Sequence, residues 1–196
     1  MVETRRRQIE DVASGLFGEQ GYAATSVRDI ARGLAIQGAS LYAHVASKED
    51  LLWAIVRRAA EHFEAAADKA EKSTAGRPAA ERLEALVVGH VGVLTDDVGE
   101  AGVFVREWRS LSGDRRARMG ARRDAYENRW RKLIGQGSES GEFAPVDPAL
   151  GAAYLLTALN GIATWYRPDG ALSARAIAAE YVNLSRRALI AEEAAR

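Results

Sequence analysis

The stretch Gly21–Leu52, GYAATSVRDIARGLAIQGASLYAHVASKEDLL, decides how this chain is read. Thr25 is a good N-cap for a helix from Ser26 to about Leu34, with Val27, Ile30 and Ala31 on its inner face. Ala35-Ile36 makes a turn, and a second short helix is expected from about Gln37 to His44. Ser47 stands three residues before Asp50, an S-x-x-D pattern close to a capping box, and opens a long helix reaching about Lys72. Two short helices joined by a tight turn form the layout in which one helix enters the DNA major groove while the other braces it.

The periodicity extends outward from this segment. Upstream, Ile9, Val12, Ala13, Leu16 and Phe17 recur at helical spacing from about Arg5 to Gln20, and Gly21 supplies the stop. Downstream, Leu51, Leu52, Ile55, Val56, Ala59 and Phe63 form the apolar stripe of the long helix. Ser73–Pro78 reads as a loop. Helices are then expected over about Ala79–Leu94, Ala101–Leu111, Asp114–Ile134, Pro148–Trp165 and Ala174–Glu192, with a Gly- and Pro-containing loop at Gly135–Asp147. The fold class is therefore all-α with about nine helices. Residues 1–50 are assigned to a three-helix DNA-binding domain, and residues 51–196 to a helical ligand-binding and dimerisation domain.

Composition removes several alternatives. Without cysteine there are neither disulfides nor thiolate metal sites. No stretch approaches the ~18 apolar residues of a membrane span, and the N-terminus lacks a signal-peptide core, so a cytosolic protein without membrane partners is expected. His44, His62 and His90 are scattered without the spacing of a metal site or triad, and phosphate-binding glycine motifs do not occur. No enzyme, metal or cofactor is expected. A helical module that binds protein rather than DNA is the remaining competitor, and salt dependence separates the two.

Zero net charge makes the distribution of charge the informative quantity. Residues 1–58 hold 8 Lys/Arg and 7 Asp/Glu, residues 59–102 hold 4 and 9, residues 103–132 hold 10 and 4, and residues 133–196 hold 5 and 7. The reader segment is only weakly basic, and the strongest positive block lies mid-chain.

On the second short helix, Ile36, Leu41 and Val45 should face inward, leaving Gln37, Ser40, Tyr42 and His44 outward. Gln can pair bidentately with adenine, and Ser can meet several base edges. Thr25, Tyr42, His44 and Lys48 suit phosphates. Taken singly, Tyr42 could equally be a core edge, His44 a solvated residue, and Arg28 or Arg5-Arg6-Arg7 a solvated surface.

Together these positions resemble the signature of the TetR family of bacterial repressors, G-[FY]-x-x-[TS]-[ST]-hydrophobic-x-x-I-A followed by L-Y-x-[HY]-[FV]-x-S-K-[ED]-x-L. Here it reads Gly21-Tyr22, Thr25-Ser26-Val27, Ile30-Ala31, Leu41-Tyr42-Ala43-His44-Val45 and Ser47-Lys48-Glu49-Asp50-Leu51. The resemblance implies that Thr25, Tyr42, His44 and Lys48 hold phosphates while Gln37, Gly38 and Ser40 lie beside bases of double-stranded operator DNA. One departure is Gly38-Ala39, where many relatives carry Lys or Arg. Arg5, Arg6, Arg7 and Arg28 would then supply more of the attraction.

The resemblance further implies a homodimer whose seam is a four-helix interface. Leu150, Ala153, Tyr154, Thr157, Ala158, Gly161 and Ile162 would contribute from one helix, and Ile177, Tyr181, Leu184, Ala188 and Leu189 from the last. A small-molecule effector would occupy the body. Candidates for its site are Phe104, Trp108, Arg109, Leu111, Arg122, Arg123, Tyr126, Trp130, Leu133, Leu156, Asn160 and Trp165, although aromatics at helical spacing are also ordinary core. The arginines could bind phosphate or simply form a solvated helix face. The stretch Trp165–Ser173, WYRPDGALS, resembles a subgroup whose members repress catabolic genes and respond to acyl-CoA thioesters; an efflux-pump regulator answering to hydrophobic drugs is the alternative.

Overall fold

The computed structural model describes residues 2–189, apart from the side chains of residues 2–4 and 39. Among the described residues every regular element is helical: α1 (Val2–Gln20), α2 (Val27–Gly33), α3 (Gly38–Tyr42), α4 (Lys48–Ser73), α5 (Ala79–Asp96), α6 (Val98–Glu107), a 3-10 turn (Trp108–Ser110), α7 (Gly113–Glu139), α8 (Pro148–Asn160), the single turn α9 (Ile162–Trp165) and α10 (Ala174–Leu189). The expected end of the last helix at Glu192 lies outside the described residues. No described helix is long and apolar enough to cross a membrane.

The chain packs as two compact units, Met1–Glu61 with Asp97–Ala121, and His62–Asp96 with Arg122–Arg196. The first therefore runs past residue 50 and includes α6 and the start of α7. Its core gathers Ile9, Phe17, Ile30, Leu41, Leu51, Leu52, Ile55 and Val103, all essentially inaccessible. The second is built on Phe63, Leu83, Leu94, Trp130, Ile134, Phe143, Leu155 and Ile162. Helix α4 and helix α7 each contribute residues to both units.

Three local departures from the sequence reading have physical causes. First, Ser26 rather than Thr25 is the N-cap of α2. Its hydroxyl accepts from the Asp29 N–H while the Asp29 carboxylate accepts the Ser26 N–H, closing a capping box. Thr25 is 1 % exposed and donates its hydroxyl to the Gly21 carbonyl at 2.9 Å.

Second, α7 does not stop at Ile134 but passes through Gly135 and Gly137 to Glu139. Gly137 is there for space rather than as a breaker. A Cβ at that position would sit 2.5 Å from Cε2 and 2.8 Å from Cγ of the buried Phe143 ring. Gly137→Ala should therefore destabilise the protein by about 1–3 kcal/mol through overpacking, despite Ala's higher helix propensity. Urea unfolding checks this, and an unchanged midpoint would mean the ring moves aside freely.

Third, the expected Pro148–Trp165 helix breaks after Asn160. The Cβ missing from Gly161 would lie 3.1 Å from the Ala158 carbonyl oxygen. The break turns Ile162 fully inward. Ile177 and Leu189 are also buried within the second unit, so these three residues are removed from the expected dimer seam.

Candidate functional site

The first unit holds the reader. Gly21 ends α1 at φ +86°, a left-handed conformation that its missing Cβ permits, and its N–H reaches the Phe17 carbonyl at 3.1 Å. The chain then turns so that Tyr22 meets Phe17 edge-on at 5.2 Å. Lys48, at the start of α4, sits 4.2 Å from the centre of the Tyr22 ring and donates to the carbonyls of Tyr22 and Thr25, both at 2.8 Å. Two of its three N–H groups thus stitch the α1–α2 loop to α4, leaving one for any other partner. Between α2 and α3 the turn holds Ala35 at φ +53°, unusual for a residue with a Cβ.

Helix α3 is shorter than expected, five residues with Gln37 as its N-cap. Leu41 and Val45 bury its back, while Gln37 and Ser40 are exposed and Tyr42 stands 59 % exposed. His44 is half-buried, and Arg28 on α2 is exposed. A Cβ added to Gly38 would touch nothing within 4 Å. Of the sequence-derived contact residues, Thr25 is the most enclosed: its side chain is buried and donates to the carbonyls of Gly21 and Leu16.

The N-terminal turn of α4 is fastened to the α6–α7 segment of the same unit. Asp50 donates its N–H to the Ser47 cap hydroxyl at 3.0 Å, and its carboxylate pairs with Arg115, whose guanidinium is the main reason that carboxyl lies below the usual carboxylate range. Glu49 accepts the N–H and hydroxyl of Ser112, both at 3.0 Å. Glu107 accepts the Tyr22 N–H at 3.2 Å, and Arg106 donates to the Gly18 carbonyl at 3.2 Å. Further along α4, Arg58 joins Glu10 of α1 and Glu100 of α6 in one buried ion cluster. These long-range polar ties were not legible in the sequence, because nothing local marks them.

In the second unit, His90 of α5 is 3 % exposed. Its Nδ1 lies 2.9 Å from the Tyr126 hydroxyl of α7, and its Nε2 lies 3.3 Å from Asn160 Oδ1 at the end of α8. Phe63 at 4.7 Å and Trp130 at 5.9 Å flank the imidazole. Burial drives the His90 pKa down to about 3, with Arg123 adding a smaller push in the same direction, and it raises the Tyr126 phenol well above its ordinary value. His90 was not among the expected site residues.

The effector candidates divide between the units. Phe104 (buried), Trp108 (half-buried, with the Arg109 guanidinium 4.6 Å from its ring) and Leu111 belong to the first. Arg122, Arg123, Tyr126, Trp130, Leu133, Leu156, Asn160 and Trp165 belong to the second. There Tyr126, Trp130 and Asn160 gather around His90, whereas Trp165 is 44 % exposed.

The basic block is mostly spoken for. Arg122 forks onto Glu64 at 2.8 and 2.7 Å, Arg129 meets Asp68 at 2.6 Å and Glu71 at 3.4 Å, and Arg131 pairs with Glu127. Acidic α4 thus answers basic α7, which explains the opposite charge of the two segments better than either a free phosphate site or a solvated face.

Comparison with known proteins matches residues 9–55 to the model described as bacterial regulatory proteins, tetR family, and residues 76–189 to that of the tetracyclin repressor-like C-terminal domain. The HTH-type transcriptional repressor KstR2 of Mycobacterium tuberculosis is 30 % identical over 183 residues, 92 % of this chain and 90 % of that protein. The solved structure of that ketosteroid regulator superposes with a TM-score of 0.89 at 29 % identity, covering 96 % of each chain. AibR, solved in complex with isovaleryl coenzyme A and operator DNA, superposes with a TM-score of 0.81 at 31 % identity, covering 92 % of this chain and 97 % of that one.

Proposed function

The chain belongs to the TetR family of bacterial transcriptional regulators, which are not enzymes, and from that premise we propose that it is a repressor that binds palindromic operator DNA as a homodimer and is released by an acyl-CoA. The observation that carries the DNA half is the outward set Gln37, Ser40 and Tyr42 standing on the buried Leu41 and Val45. Gln37 and Ser40 read base edges, and Tyr42, His44, Arg28 and the remaining N–H of Lys48 hold phosphates. Gly38 leaves open space that nothing among the described residues fills, and the duplex backbone or a base edge takes it. Residues 1–50 supply the reader, and the remainder supplies the effector and dimer functions.

Support for the dimer is an apolar stripe at helical spacing on α8. Leu150 is 70 % and Tyr154 62 % exposed, with exposed Ala153, Thr157 and Ala158 between and beyond them, and exposed Leu184 and Ala188 on α10. A two-fold pairing of this face would set two readers on half-sites about one helical turn apart. The acyl-CoA reading is supported by the likeness to AibR, whose solved complex holds isovaleryl coenzyme A together with operator DNA. The effector acts only through different affinity for the DNA-competent and released conformations.

Operator titration by fluorescence anisotropy tests the whole reading. Wild type should bind as two chains per duplex, with affinity falling steeply as salt rises, and an acyl-CoA should reverse binding. Arg28→Ala should lower the salt slope by about 1 and weaken all sequences alike, whereas Gln37→Ala should relax base choice at one position by about 1–3 kcal/mol. Binding indifferent to salt would indicate a protein-interaction module. A response to hydrophobic drugs but to no acyl-CoA would indicate an efflux-pump regulator.

A further inference from the structure

The His90 cluster is a directional hydrogen-bond relay whose free end is a donor. His90 is uncharged at neutral pH because it is buried, so its ring carries one N–H and one lone pair. Asn160 Oδ1 can only accept, which puts the proton on Nε2 and leaves Nδ1 to accept from the Tyr126 hydroxyl. The order of donation is therefore Tyr126 to His90 to Asn160. Both N–H groups of the Asn160 amide remain, and no partner for them exists among the described residues.

A second donor, poorly satisfied, lies in the same cluster. The indole N–H of Trp130, on a residue with 0 % exposure, makes no hydrogen bond of good geometry, although it is near enough to the Tyr126 phenol to favour its ionised form slightly. A buried donor without an acceptor costs about 1–3 kcal/mol, and native proteins keep few of them. The surroundings are aromatic, Phe63, Tyr126 and Trp130 standing within 4.7 to 6.5 Å of one another or of the imidazole. The nearby Arg129 is occupied by Asp68 and Glu71. Such a site favours a neutral acceptor, since an anion buried there would meet the desolvation that keeps His90 uncharged.

We propose that Asn160 and Trp130 read a carbonyl oxygen on the acyl portion of the effector, with His90 and Tyr126 fixing the orientation of the Asn160 amide. The proposal rests on the acyl-thioester reading for its ligand class but not for its chemistry. The carbonyl has two possible sources, the thioester itself and an oxo group on the chain. The apolar wall sets this site apart from the end of the ligand that carries phosphates.

Calorimetry with three probes tests it: hexanoyl-CoA, 3-oxohexanoyl-CoA and the thioether S-hexyl-CoA, which lacks any acyl carbonyl. If the thioester carbonyl is read, wild type should bind the thioether about tenfold more weakly than hexanoyl-CoA; if a chain oxo group is read, it should bind the 3-oxo compound about tenfold more tightly. Asn160→Leu and, separately, Trp130→Phe should erase that ratio while operator affinity stays near wild type; both should lower the unfolding midpoint, the first by stranding the His90 Nε2–H and the second by leaving a gap in a buried site. Ratios identical in wild type and both variants overturn the proposal, as does a wild type that treats all three probes alike. Cyclohexanone against methylcyclohexane, followed by tryptophan fluorescence, is the arm independent of CoA. If no CoA compound binds but the ketone is preferred by wild type and not by Asn160→Leu, the carbonyl reading stands and the acyl-CoA reading falls. If neither class binds, both fall.

Discussion

Arg58→Ala should cost about 3–5 kcal/mol of stability, the range found when one partner of a buried ion pair is removed. Arg58 is 17 % exposed, and its partners Glu10 and Glu100 are 8 % and 2 % exposed. Truncation leaves two carboxylates facing each other out of water. Arg6 pairs with Glu10 at 3.1 Å and Arg7 approaches Glu100 at 4.0 Å, so some compensation survives. Because the three helices joined are α1, α4 and α6, the loss should also weaken operator binding by letting α1 shift beneath α2. Urea unfolding measures the first effect. A triple variant, Arg58→Met with Glu10→Gln and Glu100→Gln, separates the penalty of stranded charge from the worth of the cluster. It should recover most of the stability, since apolar replacement of a whole buried cluster is often neutral or favourable. An Arg58→Ala midpoint within error of wild type would show that water or the neighbouring arginines already neutralise the pair.

How much of this molecule could be read from its sequence follows from the range of the forces involved. The reader was legible because its signals are local. Gly21 stops α1, Ser47 caps α4, and the apolar positions Ile30, Ala31, Leu41 and Val45 repeat at helical spacing. Even there, two adjacent hydroxyls could serve as the cap, and only packing chose between them, turning Thr25 inward and Ser26 onto Asp29. The C-terminal end of α7 is not legible in the sequence because a glycine pair signals a break when read locally. In the fold, Gly137 makes room for a ring six residues later.

Long-range choices were harder still. Charge counting found an acidic and a basic segment but could not tell that Glu64, Asp68 and Glu71 meet Arg122 and Arg129. The buried halves of α8 and α10 resemble their exposed halves in composition, so the sequence does not separate the buried Ile162, Ile177 and Leu189 from seam residues. His90 is the clearest case. Its two hydrogen-bond partners lie 36 and 70 residues away, and nothing around it in sequence marks a site.

That residue gives the second large expected effect, a stability that declines as pH falls from about 6.5 toward 3. The folded-state pKa of His90 is depressed from 6.5 to about 3, first by burial and then by the charge of Arg123, against the small upward pull of Asn160. Between those values the unfolded chain binds a proton that the native protein refuses. Stability therefore rises with pH across this window, by up to about 1.4 kcal/mol per pH unit for one proton, and is fully present above it. Over the whole window the loss is several kcal/mol, a large share of the about 5–15 kcal/mol that holds a typical domain folded. Carboxylates held low by their partners, Asp29, Asp50 and Glu142, also destabilise the protein in acid, but their contribution is lost only from the usual carboxylate range downward, below about pH 5. His90→Gln isolates the imidazole by keeping a polar side chain of similar reach while removing the titration. Between pH 6.5 and 5 the wild-type unfolding free energy should slope downward and that of His90→Gln should be nearly flat. Parallel curves over that interval would mean that His90 charges in the folded state. Its relay to Asn160 would then lose its fixed direction, because a protonated ring donates from both nitrogens and the Tyr126 hydroxyl would have to reverse.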